Sequence, residues 1–191
     1  MQERVTGSRR GAAPVFSSDR STVPVHAVVL GIDPSLRGTG WGVIRIERGG
    51  STALGHGTIK CPATWARSRC LVKIAAEIRA AIREHQPTVC AVEGLFFAQN
   101  LQTAMIMGEA RGASLVAVGE AGLEIFEIAP RKVKLAVVGY GAAQKLAVAR
   151  MVQRLLKLAE TPSPDAADAL ALAIAFAQET GRFGLGGPKR V

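Results

Sequence analysis

Val28-Val29-Leu30-Gly31-Ile32-Asp33 is an apolar run closed by an acid. A continuous apolar run of this length suits a strand buried on both faces in the middle of a sheet. Residues 34–40 read as a turn, because Pro34, Gly38 and Gly40 punctuate them. Residues 41–46 then alternate, with Trp41, Val43, Ile44 and Ile46 set among small or charged neighbours. They predict a second strand, Gly49-Gly50 predicts a hairpin turn, and residues 52–60 predict a third strand. Thr88-Val89-Cys90-Ala91-Val92-Glu93 repeats the opening device, an apolar strand that ends on an acid. Residues 123–128 predict a fifth strand.

Helical spacing fills the intervals. Over residues 65–85, Leu71, Ile74, Ala75, Ile78 and Ile82 share one face, while Arg67, Lys73, Arg79 and Arg83 share the other. Pro87 follows the end of that helix. Residues 100–118, rich in Met, Ala and Gly, predict a second helix. Further helices are expected over 131–138, 143–158 and 164–178. Three strands, a helix, a strand, a helix, a strand and then helices define an α/β fold with a mixed five-stranded sheet flanked by helices.

The chain has 191 residues, which fits one domain with tails. Hydrophobic residues are 48% of it, enough for a real core. Residues 1–26 mix Gly, Ser, Pro and Arg without periodicity and are expected to be a flexible basic arm. Residues 27–180 form the expected domain. Residues 181–191, with Arg182, Lys189 and Arg190 and no acid, are an expected flexible basic tail. The formal charge of +9 suggests a polyanionic partner, although the two ends contribute about half of it. Cys61, Cys70 and Cys90 fit neither a close-paired zinc spacing nor a disulfide framework, which suits a reducing cytoplasm. No apolar run approaches the roughly 18–20 residues that span a bilayer, so no membrane role is expected. An organelle transit peptide is the weaker reading of the arm, given its two acids and lack of amphipathic pattern.

The chemistry gathers on acids. Asp33 and Glu93 end strands on the edge where ligand sites of open α/β sheets form. Asp165 and Asp168 stand three apart at a helix start, so they share a face and meet a favourable backbone dipole. Singly, Asp33 before Pro34 reads equally as a turn residue, and Asp165 as a helix-start charge. Together they are harder to dismiss. Glu93 gains nothing by closing an apolar strand, and a buried charge costs several kcal/mol unless paired. A divalent cation resolves that cost, and hard oxygen ligands suit Mg²⁺ or Mn²⁺. Such a cluster, without His or Cys, fits two-metal phosphodiester hydrolysis.

Between Pro130 and Leu158 stand Arg131, Lys132, Lys134, Lys145, Arg150, Arg154 and Lys157, with no acid. A solvated helix face normally mixes both signs, so this stretch reads as a phosphate-binding wall. Phe96 and Phe97 follow Glu93 closely. Two readings stand for them: core packing for both, or one exposed ring that stacks on bases.

These residues resemble a known family. Leu30-Gly31-Ile32-Asp33-Pro34 with Gly38-Thr39-Gly40-Trp41-Gly42-Val43-Ile44 is similar to the opening strand and hairpin of the RuvC Holliday junction resolvases. Ala91-Val92-Glu93-Gly94-Leu95-Phe96-Phe97-Ala98-Gln99-Asn100 resembles their second acidic motif, and Gly108-Glu109-Ala110-Arg111-Gly112 the helix after it. Pro164-Asp165-Ala166-Ala167-Asp168-Ala169-Leu170-Ala171 resembles their C-terminal acidic helix. The match runs in register from about residue 28 to 178. The resemblance implies an RNase H-like fold and a homodimer that resolves four-way DNA junctions by symmetric paired nicks in recombination and repair. It implies two Mg²⁺ per site, with Mn²⁺ as a substitute, held by Asp33, Glu93, Asp165 and Asp168. It further implies DNA contacts at Lys134 and Lys145, flanked by Arg131 and Lys132, and stacking by Phe96. It places the helix over 100–118 in the dimer interface, and implies RuvA- and RuvB-type partners in a bacterial cytoplasm. Two features depart from the family pattern: the basic arm before residue 27, and Ser35-Leu36 where glycine commonly follows the first motif's proline.

Three other readings compete. An actin-like ATPase domain also opens on a strand and a glycine turn, but needs a second phosphate loop and a longer chain. A junction-binding protein without cleavage has no use for acids gathered near phosphates. A related nuclease acting on RNA is the third; Phe96 and the paired C-terminal acids favour DNA.

Overall fold

The computed structural model of the chain describes residues 28–94, 100–181 and 189–191. The arm expected over 1–26, part of the tail expected over 181–191, and Phe96 with Phe97 lie outside the described residues. Strands β1 (Val28–Asp33), β2 (Gly38–Glu47) and β3 (Gly50–Lys60) come first. Helix α1 (Arg67–His85), strand β4 (Val89–Glu93), helix α2 (Leu101–Glu120) and strand β5 (Glu124–Ile128) follow. Helices α3 (Pro130–Val138), α4 (Lys145–Leu155) and α5 (Pro164–Gly181) lead to a short strand, β6 (Lys189–Arg190).

The sheet order is β3-β2-β1-β4-β5-β6. β1 pairs antiparallel with β2 and parallel with β4, and β4 pairs parallel with β5. The α/β class and the mixed sheet agree with the sequence reading. The count differs: there are six strands where five are expected. Lys189 and Arg190, assigned to a flexible tail, pair antiparallel with Glu127 and Phe126, and Arg190 also meets Glu124 at 2.8 Å. The hairpin turn sits one residue earlier than expected. Glu47 pairs with Gly50, so Arg48 and Gly49 make the turn, and Gly49 takes the positive φ of 93° that a glycine tolerates best.

The sheet divides two cores. On one side Cys70, Ile74 and Ile78 of α1 and Ala110, Ala117 and Val118 of α2 pack over Leu30, Ile32, Val43, Cys90 and Val92. On the other, Leu170, Ala173 and Phe176 of α5 pack with Val133, Val137, Val148 and Val152 against Val29, Ile44, Val89 and Ala91. Large side chains buried this fully contribute about 1.5–3 kcal/mol each. β1 and β4 feed both cores, which is why their sequences read as unbroken apolar runs rather than alternating ones.

One contact decides where the acids of α5 stand. Gly31, Gly40 and Gly42 face α5, and a Cβ on Gly31 or Gly40 would strike the main-chain oxygen of Ala169 or Asp165. A Cβ on Gly42 would come 2.6 Å from a methyl of Leu170. Gly31 and Gly42 are neighbours across the β1–β2 ladder, as are Asp33 and Gly40. The missing side chains form a trough in the sheet that lets α5 lie against backbone.

Candidate active site

β1 and β4 run parallel, so Asp33 and Glu93 end on the same edge of the sheet. α5 begins above that edge, with Asp165 in its first turn and Asp168 one turn later. Asp33, Glu93, Asp165 and Asp168 line one cleft of about 380 Å³, together with Lys134 and Lys145. Val133, Val148 and Leu172 form its apolar floor and Met107 reaches its wall. Elements far apart in the chain thus bring one set of side chains together.

The electrostatics record the crowding. Asp33 is pushed up to about 7, first by burial, then by the charges of Glu93 and Asp168. Burial also raises Glu93, while its hydrogen bond with Asp33 holds it down. The two carboxyls therefore share a proton more readily than both ionise. Lys145 Nζ donates to Asp168 Oδ2 at 2.8 Å, and this bond raises the lysine's own pKa. The ammonium also draws Asp33 and Glu93 downward, against the push of burial. Among the described residues, no three metal-ligating side chains converge tightly enough as they stand to hold an ion. Asp33 and Glu93 are hydrogen-bonded to each other, and Asp168 is held by Lys145.

The basic residues separate into two groups. Lys134 and Lys145 reach the cleft. Arg131 and Lys132 do not: Lys132 pairs with Glu179 at 3.4 Å, and Arg131 lies over Gly141. One residue without an assigned role in the sequence reading stands directly behind the site. Arg111, 8% exposed, donates from Nη1 to the main-chain oxygen of Glu93 at 3.0 Å and meets Glu127 at 3.6 Å. It anchors the end of β4 that carries the acid. Its signal in sequence is a lone cation among Ala, Gly and Val on α2. Ser163 is a second such residue: its hydroxyl meets that of Thr58 at 2.8 Å and ties the start of α5 to β3.

The chain is similar to known proteins over most of its length. The family described as Crossover junction endodeoxyribonuclease RuvC matches residues 29–176. A RuvC of Akkermansia muciniphila is 45% identical over 146 residues, covering 76% of this chain and 87% of that protein. One of Rubrobacter xylanophilus is 45% identical over 151 residues, covering 78% and 84%. The structure of T. thermophilus RuvC in complex with Holliday junction substrate superposes with a TM-score of 0.79 at 34% identity, covering 87% of this chain and all of that one. The yeast mitochondrial resolvase Ydc2, at 11% identity and a TM-score of 0.57, shares the fold. The mixed sheet with helices on both faces is the RNase H-like fold, and the chain belongs to the RuvC family of crossover junction endodeoxyribonucleases.

Proposed function

We propose that this protein is a divalent-metal-dependent endonuclease that resolves four-way DNA junctions by paired symmetric nicks. The observation that carries the reading is the single cleft lined by Asp33, Glu93, Asp165 and Asp168, with Lys134 and Lys145 beside them. The RuvC relatives bear the name of that activity, and the T. thermophilus protein binds a Holliday junction.

The donor set fits a hard divalent ion. All four side chains offer carboxylate oxygens, and among the described residues no His or Cys lines the cleft. The strong upward push on Asp33 marks a place where added positive charge is welcome. When bound there, a pair of Mg²⁺ ions, with Mn²⁺ as a substitute, would supply Lewis acidity for the phosphate and a lowered water pKa.

The chain's own residues do the rest. Lys134 and Lys145 hold phosphate oxygens and fix the register of the backbone in the cleft. Lys145 exchanges Asp168 for a phosphate, which releases that carboxylate to the site. Asp33 and Glu93, the more buried of the acids, would hold the ions together with Asp165 and Asp168. Water then attacks phosphorus in line. The bond to the 3′ oxygen breaks, and the products carry a 5′ phosphate and a 3′ hydroxyl. Two such sites, one per protomer of a homodimer, cut strands of like polarity. α2 suits that interface, since Leu101, Met105 and Val116 are exposed apolar residues along its length. Branch-migration proteins of the RuvA and RuvB type are the expected partners, in a bacterial cytoplasm.

The test is cleavage of a synthetic four-way junction against a matched linear duplex, with Mg²⁺ and then with EDTA. Paired nicks on the junction alone, lost in EDTA, support the reading. Tight junction binding without nicks would replace it with a recognition protein. Preferential cutting of structured RNA would move it to the RNA-directed relatives.

A further inference from the structure

Between Glu47 and Glu77 the chain carries Arg48, Lys60, Arg67, Arg69 and Lys73 and no acid. This stretch is as one-signed as the wall over 131–157, yet the proposed mechanism does not use it. The fold gathers most of it at one corner, where β3 ends and α1 begins. The arrangement is electrostatically costly. Arg67 and Arg69 occupy the first turn of α1, which holds no acid, and the backbone dipole there disfavours cations. Arg67 has Glu109 at 2.9 Å to offset it. Among the described residues Lys60, Arg69 and Lys73 make no ion pair. Arg69 and Lys73 stand four apart, a spacing at which like charges repel. Both lie over the Trp65 ring, with centroid distances of 3.7 and 5.6 Å. Lys73 Nζ also donates to the main-chain oxygen of Lys60 at 3.0 Å, which ties the start of α1 to the end of the edge strand β3, where the Lys60 side chain leaves toward the other face.

The corner adjoins the carboxylates. Lys60 pairs with Gly38, and a Cβ on Gly38 would come 2.9 Å from Asp165 Oδ2. One strand spacing of about 4.8 Å therefore separates Lys60 from the place beside that acid. Thr58 turns its hydroxyl to Ser163 before α5, while Ile59 enters the α1 core. By alternation Lys60 emerges on the Asp165 face. The cations thus extend from the cleft on the β3 side, away from α3, which follows β5.

Cations crowded together without acids lower stability in the free protein, and a polyanion lying across them reverses the penalty. We infer that Lys60, Trp65, Arg69 and Lys73 form a second backbone-binding surface, which takes a duplex segment of the substrate on the β3 side of the cleft. This rests on the DNA-nuclease reading and deepens it: the cut strand is gripped on both sides of the acids. Trp65 acts as the platform that holds the two α1 cations in place.

The experiment uses the full chain in EDTA, so that binding is read without cutting. Fluorescence anisotropy follows a labelled four-way junction over a series of salt concentrations. For Lys60→Ala with Arg69→Ala, the slope of log affinity against log salt should shrink by about 2, and affinity near 0.15 M salt should fall about tenfold or more. Arg48→Ala with Arg83→Ala, in the hairpin turn and the last turn of α1, removes the same charge elsewhere and should leave the slope close to wild type. Lys60→Arg with Arg69→Lys should also retain it. Thermal melts check folding, and Lys60→Ala alone, with a slope change of about 1, serves if the double variant does not fold. An unchanged slope, or an equal loss in the distant pair, overturns the surface. If the wild-type protein itself does not bind the junction, the nuclease reading fails first; if it binds and the corner variant matches it, only this surface fails.

Discussion

The main-chain oxygen of Asp165 occupies the space in which a side chain on Gly40 would begin. Gly40 is the ladder partner of Asp33, so one residue sets the depth of an acid on α5 relative to an acid on β1. Gly40→Ala has to lift the start of α5 from the sheet. Overpacking of this kind costs about 1–3 kcal/mol, and here the struck atom is backbone that cannot rotate away. Gly50→Ala, where a Cβ meets open space, is the matched control and should be near neutral. Urea midpoints at constant slope check the difference, and Mg²⁺ should stabilise the Gly40 variant less than wild type.

Asp33→Asn should lower junction cleavage about a hundredfold or more while leaving junction affinity in EDTA within a few-fold of wild type. The phosphate is held by the ammonium groups of Lys134 and Lys145 in the same cleft, and the substitution leaves both in place. Single-turnover nicking and anisotropy on the same junction check both halves. Normal cutting by this variant would remove the cleft from the mechanism.

The pH dependence has a definite sign. The carboxyl of Asp33 has a pKa of about 7 in the fold and 3.8 as its ordinary value. Between those values the folded protein keeps a proton that the unfolded chain has released, so stability falls as pH rises from about 4 to about 7. Below about 4 this group costs nothing, and above about 7 its full penalty is present. Metal-free protein should therefore melt lower at pH 7.5 than at pH 5. Asp33→Asn should flatten that trend, and Mg²⁺ should restore more stability at the higher pH, where the ion has no proton to displace. Melting temperatures over a pH series, in EDTA and then in Mg²⁺, read all three effects.

Lys134→Ala with Lys145→Ala should weaken junction binding and reduce the magnitude of its salt slope by about 2. Both ammonium groups line the cleft. Loss of Lys145 has a second effect in the free protein. It removes the cation beside Asp33, Glu93 and Asp168, so the pH at which Asp33 releases its proton should rise further. An unaltered slope would take the phosphate role from these lysines.

Arg111→Met keeps the volume of the α2 side chain but leaves Glu127 and the Glu93 carbonyl without their donor. A loss of about 1–3 kcal/mol is expected in urea unfolding. Cleavage should fall more than junction affinity, since the residue positions the end of β4 rather than the DNA.

Much of this was legible because the decisive elements are local. β1 and β4 are short apolar runs that close on acids, and the covering of a sheet on both faces produces that pattern directly. Asp165 and Asp168 announce a shared helical face by spacing alone. The parts that escaped are those whose partners are distant or made of backbone. β6 has two residues, both basic, and forms by main-chain pairing with the edge of β5, which leaves no periodicity to read. Arg111 depends on a carbonyl of β4 and a carboxylate of β5. The hold of Lys145 on Asp168 spans separate helices, so charge counting finds a wall but not which cations face the cleft. Lys132, turned to Glu179, looks the same in sequence as Lys134.

The trough of glycines has a consequence for how such a site ages under mutation. Where α5 meets Gly31 and Gly40, the distance is set by main-chain atoms, not by a layer of aliphatic groups. Leu172 and Ile174 of α5, and the valines of α3 and α4 that share their core, can therefore be exchanged over many generations without moving Asp165 or Asp168. Such changes tax stability and leave the chemistry's ruler intact, so the activity can be inherited through sequences whose cores have little in common.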